Sequence, residues 1–247
     1  MGFEYILDFI NSPMFGQLMR NTLLLSLYQL AFGFPVPIIL AFMLNEMRCQ
    51  KAKRFVQMAT YAPHFISMVA VVGLLQLFLQ RDTGVFNLVR ALLGMEQINY
   101  LAQASSFRSI YVLSGIWQEA GWGTIIYLAA LSGVNVDMLD ACAIDGATRF
   151  QKIIHIDLPT ILPTVVVLLI LNTGSILNIG FEKVFLMQND LNRDVSELIS
   201  TYTYRLGIQQ GRFSKTAAIG LFNSFVSALV LVIVNALARK VGETSLW

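Results

Sequence analysis

The chain has 247 residues, a formal net charge of +2 and 13% charged side chains, against about 25% in an ordinary soluble domain. Hydrophobic residues make up 56% of it and mean hydropathy is +0.64. This balance excludes an ordinary soluble domain and a disordered chain, and two cysteines far apart in sequence exclude a disulfide-stapled mini-protein.

The apolar excess is concentrated in five stretches: 21–44, 55–79, 109–131, 161–179 and 216–238. Of 17 Lys and Arg and 15 Asp and Glu, only Glu119 falls inside them. Each has roughly the 17–25 residues that a helix needs to cross a bilayer core. The pattern predicts an all-α, polytopic transmembrane helical bundle with five spans, folded as one domain over 1–247. No internal repeat or low-complexity linker divides it.

Residues 1–20 lack a basic start followed by an apolar run, so they do not read as a signal peptide. Asn11-Ser12-Pro13 breaks this segment, which predicts an interfacial or water-facing lead into the first span. Span 21–44 contains Gly33, Pro35 and Pro37, and span 55–79 contains Pro63, so both are expected to bend. The segment 45–54 holds Arg48, Lys51, Lys53 and Arg54, a basic density that marks the cytoplasmic side. Alternating spans then place 132–160 and Arg239-Lys240 on that side, and 80–108 and 180–215 opposite. An outside amino terminus on five spans predicts a further helix preceding this chain.

Span 109–131 carries Gln118 and Glu119 between Trp117 and Trp122. A carboxylate at bilayer depth costs roughly 2.5–3.5 kcal/mol on insertion scales and normally faces a bundle interior or a wet cavity. One reading is a solute path in which indole faces stack on sugar rings and the amide and carboxylate bind hydroxyls. The other is a structural Glu paired to a neighbouring helix, with both tryptophans packing. Glu119 and Trp122, three apart, share a helix face, as do Gln118 and Trp122, four apart; Trp117 is the outlier. Asn172, Asn178 and Asn223 read as interhelical hydrogen bonds. His64, with no carboxylate near it in sequence, reads as a packed side chain. Tyr202, Tyr204 and Arg205 in 180–215 fit either a partner surface or a cap on the bundle.

Loop 132–160, SGVNVDMLDACAIDGATRFQKIIHIDLPT, is too long for a tight connector and too polar to cross. Asp137 is positioned to cap a helix starting near Met138, and Gly146 to end it. Ala141, Ala143 and Ala147 keep that helix thin. Ile153, Ile154, Ile156 and Leu158 form an apolar run ended by Pro159. The prediction is helix, turn and second helix lying across the cytoplasmic face.

Asp140-Ala141-Cys142, Gly146 and Ile156-Asp157-Leu158-Pro159 resemble the "EAA" loop of type I binding-protein-dependent ABC importer permeases. That pattern is Glu-Ala-Ala, three residues, Gly, nine residues, Ile, any residue, Leu-Pro. Every spacing fits, with Asp140 in place of Glu and Cys142 in place of the second Ala. RNTLLLSLYQLAFGFPVPIILAFMLNE, GIWQEAGWGTIIYLAAL and TYTYRLGIQQGRFS extend the likeness to the carbohydrate-uptake branch, and to permeases for polysaccharide fragments such as oligouronides.

The resemblance implies a multi-pass protein of the bacterial cytoplasmic (inner) membrane. It implies a second homologous permease, two cytosolic ATPase subunits, an extracytoplasmic solute-binding protein and an oligosaccharide substrate. Asp140, Ala141, Cys142, Asp145, Gly146, Ile156, Leu158 and Pro159 would couple to the ATPase; Trp117, Gln118, Glu119 and Trp122 would line the path. The chain carries no GxxxxGK[ST] loop, so ATP is expected on the partners, with no cofactor, metal, catalytic residue or nucleic-acid partner here. The spans carry no Lys or Arg, and Glu119 would repel an anionic uronide. Either the partner permease supplies positive charge or the solute is neutral. A non-sugar solute is the first alternative; an ion-coupled carrier, a channel or a membrane enzyme needs more intramembrane ionisable or catalytic groups than are present.

Overall fold

The computed structural model describes residues 2–241, and among these there is no strand. Helix α1 (Gly2–Ile10) is followed by a break at 11–14 and by α2 (Phe15–Tyr28). A π turn at Gln29–Gly33 leads into α3 (Pro35–Asn45), whose Pro35 sits at the helix start where its missing N–H is harmless. Then follow α4 (Gln50–Tyr61), a 3₁₀ turn at Ala62–Phe65, α5 (Met68–Leu79) and α6 (Val85–Leu92). Next come α7 (Ala104–Leu131), α8 (Val136–Ile144) and α9 (Arg149–Lys152), then a π turn at Ile153–Asp157 and α10 (Leu158–Gly174). The carboxy-terminal part holds α11 (Phe181–Met187), α12 (Arg193–Ser196), α13 (Ile199–Tyr204), a π turn at Arg205–Gln209 and α14 (Phe213–Val241).

Three helical runs are long and apolar enough to cross a membrane: Phe15–Asn45, Arg149–Gly174 and Phe213–Lys240. Two further bent pairs, Gln50–Phe65 with Met68–Leu79 and Ala104–Leu131 with Val136–Ile144, bring the number to five when each counts as one span. The span expected over 55–79 is broken at Ile66–Ser67, where the Ser67 hydroxyl caps α5 by accepting from the Ala70 N–H. The span expected over 161–179 begins earlier, at Arg149, and ends at Gly174. In the three long runs no more than 22% of the most apolar window is buried within the chain, so their apolar faces are left to lipid or other subunits.

Chain contacts define two compact units. The first comprises 1–29, 66–114 and 175–229. Its core joins Phe9, Leu18, Ile199, Leu206 and Ile219, with Phe9 edge-on to Phe15 and Phe222. The amino-terminal helix is thus packed through Phe9. Asn21 donates to the Asp194 and Glu197 carbonyls, and buried Glu197 pairs with Arg205 at 2.6 Å. Tyr202 packs on the Phe9 cluster and Tyr204 against Phe181, so 180–215 closes on its own unit. Asn223 of α14 donates to Asn178 at 2.8 Å, a bond to the bend beyond α10 rather than from helix to helix, and Asn172 donates to Leu168 O of its own helix.

Among the described residues, the second unit comprises 30–65, 115–174 and 230–241. Ala41, Tyr127, Leu131 and Ile161 form its apolar core. Helix α7 approaches α4 backbone to backbone: a Cβ on Gly121 would collide with the Thr60 carbonyl. It meets α3 where Gly123 faces Pro37 and the Thr124 hydroxyl donates to Pro37 O at 3.4 Å. Small residues at such contacts let transmembrane helices close on one another.

Candidate functional site

Helix α8 begins at Val136 rather than near Met138, because Asn135 caps it: the Asn135 Oδ1 accepts from the Asp137 N–H at 2.8 Å. Asp137 therefore contributes its backbone and sits in the first turn, where a carboxylate suits the helix dipole. The helix stops as expected at Gly146, whose φ of +69° is the left-handed conformation glycine adopts without strain. Gly146 N–H donates to Ala143 O and Ala147 N–H to Cys142 O, the two bonds of a Schellman turn. Thr148 then opens α9 with a capping box: Gln151 N–H donates to its hydroxyl, and Thr148 N–H donates to the Gln151 side chain. The turn is hydrogen-bonded on both flanks.

Pro159 does not end the apolar run. Helix continues from Arg149 through the π turn into α10, and Pro159 lies within it. The Leu158 N–H bonds to Ile153 O, five residues back, so the register slips just before the proline. A slip of this kind leaves room in the hydrogen-bond ladder for a residue without an N–H. Lys152 ties this segment to the first span's end, pairing with Glu46 and, at 3.1 Å, with buried Asp157.

Helix α8 turns 83° from α7 and is exposed along most of its length. A groove of about 550 Å³ separates it from the helix that follows. Ala141, Cys142, Asp145, Gly146 and Ile156 line this groove together; Asp140, Leu158 and Pro159 are exposed outside it.

The second candidate site lies on α7. Glu119 and Trp122 share a face and are joined there by His64. His64 Nδ1 is 2.9 Å from Glu119 Oε2, and its ring lies flat on Trp122, 4.5 Å between centroids with 2° between planes. Phe65 stands edge-on to both rings. Gln118 is buried and Trp117 is half-exposed on another face, so the four path residues expected from sequence are not one cluster. His64 and Phe65 escaped the sequence because they lie some 55 positions from Glu119.

Residues 11–243 match the family of binding-protein-dependent transport system inner membrane components. The chain is 46% identical over 248 residues to Protein LplB of Bacillus subtilis (strain 168), covering 100% of this chain and 78% of that protein. It is 43% identical over 247 residues to the polygalacturonan/rhamnogalacturonan transport system permease protein YteP of the same strain, covering 100% and 77%. A chain in the crystal structure of a bacterial alginate ABC transporter, in complex with alginate pentasaccharide-bound periplasmic protein, superposes with a TM-score of 0.95 at 40% identity. That alignment covers 100% of this chain and 85% of the other. The exposed α8 with its glycine turn, set among apolar helices that leave their faces uncovered, is thus part of a transport permease, and the chain belongs to the binding-protein-dependent transport system inner membrane components.

Proposed function

We propose that this permease imports an oligosaccharide handed over by an extracytoplasmic solute-binding protein, pairs with a second homologous permease, and is driven by two cytosolic ATPase subunits that dock on α8. The observation that carries the reading is α8 itself: a short, exposed helix closed by a Schellman turn and roofing a groove. Such an element exceeds what a tight connector needs, and its hydrogen-bonded ends suit it to passing force between subunits. The carbohydrate class is supported by the relatives, one named for polygalacturonan and rhamnogalacturonan transport and one crystallised with alginate-bound partner protein.

The test is Gly146→Leu. Nothing lies within 4 Å of a Cβ at this position, so the chain itself has room for a side chain. The cost has two parts: about 1–2 kcal/mol of left-handed backbone strain and bulk at the docking surface. Gly146→Asn tolerates the left-handed backbone and isolates the bulk. Both variants are expected to insert normally and bind the solute-binding protein, with ATPase association or coupled uptake reduced at least ten-fold in the leucine variant. A Gly146→Leu complex that assembles, hydrolyses ATP and transports at normal rates sinks the assignment.

A further inference from the structure

The α7 cluster has a composition that lipid does not select. Glu119 has a side chain 51% exposed on a span, and Trp122 is 44% exposed beside it. A carboxylate so placed must face water, a polar ligand or protein. Two features of the surroundings point to the ligand. First, Phe65, at 73% exposure, and Trp122 present aromatic surface at one place, edge to face, as a shallow platform for the apolar face of a pyranose ring. Secondly, Glu119 does not stand alone: His64 holds its Oε2 from the side, while the stack on Trp122 fixes the imidazole plane. With His64 protonated the pair carries no net charge, and the repulsion a bare carboxylate exerts on an anionic sugar is cancelled at its source. Hydroxyls neighbouring the stacked ring meet the remaining Glu119 oxygen as an acceptor.

We propose that His64, Phe65, Glu119 and Trp122 form a saccharide subsite of the translocation path, with His64 as the counter-charge that lets a uronic-acid ring pass Glu119. The proposal rests on the oligosaccharide-import reading above. It lessens the need for a Lys or Arg in the spans, because the partner of Glu119 is a histidine that the sequence reads as a packed side chain.

The experiment uses the full transporter in proteoliposomes with its binding protein and, as probe, an α-1,4-linked galacturonic acid trisaccharide. Trp122→Ala is expected to lower uptake at least ten-fold at normal yield of assembled complex, and Trp122→Phe to recover most of it. His64→Phe keeps an aromatic ring on Trp122 but uncovers the Glu119 charge; uptake should fall at least five-fold, and Glu119→Gln on the same background should restore it. As a second measurement, Ile126→Cys, one turn from Trp122 on the same face and outside the subsite, in a Cys49→Ser/Cys142→Ala background should be labelled by a methanethiosulfonate reagent several-fold more slowly when the trisaccharide is being transported, and unchanged labelling overturns the subsite. This variant sits at an exposed position and decides the matter where Trp122→Ala does not assemble. Wild-type uptake with normal rates in Trp122→Ala and His64→Phe overturns the subsite and leaves the importer reading standing. Loss in His64→Phe without rescue by Glu119→Gln overturns the counter-charge role. A wild-type complex that imports no saccharide overturns the reading on which the proposal rests.

Discussion

Gly121 sets the geometry of the α7 site without touching it. Its missing side chain lets α7 lie on the Thr60 carbonyl, and His64, one turn further along, then reaches Glu119. Gly121→Ala puts a methyl into backbone that cannot yield like a side chain. The expected cost is about 1–3 kcal/mol, read as a lower Tm of the assembled complex together with lost uptake. Gly123→Ala meets only the Pro37 ring edge, at 3.1 Å, and should cost less. Lys152→Met should be severe in another way, because it strands the Asp157 carboxylate, 1% exposed. Removing one partner of a buried pair costs roughly 3–5 kcal/mol; the low end is expected here because Lys152 is partly exposed, and Asp157→Asn should recover part of the loss in a thermal melt. These residues differ in how far the sequence announced them. Glu119 was legible because a charge inside an apolar stretch is conspicuous, and Trp122 because three-residue spacing shares a helix face. His64 was not, since its pairing depends on a helix approach that hinges on one glycine among 17.

At the scale of elements, α8 and its turn were legible because glycine in a left-handed turn and a fixed spacing leave a pattern in the chain. Its start was misjudged by two residues: Asn135 and Asp137 are both good caps, and backbone geometry chose Asn135. Pro159 was read as a terminator because a proline inside a helix normally costs a hydrogen bond. The π turn before it could not be foreseen, since a five-residue closure has no spacing signature of its own. Segment 180–215 left two readings open, and its buried Glu197–Arg205 pair and packed Tyr202 tie it to the first unit, as the cap reading expects. Arg205→Met should therefore destabilise the complex in a thermal melt rather than alter only an association step.

For the whole molecule, segregation of charge from apolar stretches agrees with the span number when each bent pair counts as one span, because bilayer thickness acts on composition. It did not foretell where spans end, because helix continues past the apolar window: Arg149–Gly174 begins in polar sequence that the loop was expected to hold. Basic density at 45–54 predicts the orientation, and two free thiols test it. Cys49, exposed just before α4, and Cys142, part-exposed on α8, should both resist an impermeant maleimide in intact cells and react in inverted vesicles. Labelling of either thiol in intact cells reverses the orientation.

The π turn at Ile153–Asp157 also gives the spacing between Gly146 and Pro159 one residue of slack. A π closure holds one residue more than an α turn. Deleting one residue there can turn it into ordinary α-helix with every hydrogen bond kept and the flanking helix still in phase. A deletion inside α10 has no such reserve: everything upstream, including α8, swings by about 100° about the axis of α10. A strain carrying that second deletion would make a permease whose α8 faces the wrong way, like a key cut correctly on a shank twisted a quarter turn. Single-residue deletions should therefore be far better tolerated within Ile153–Asp157 than within Leu158–Gly174.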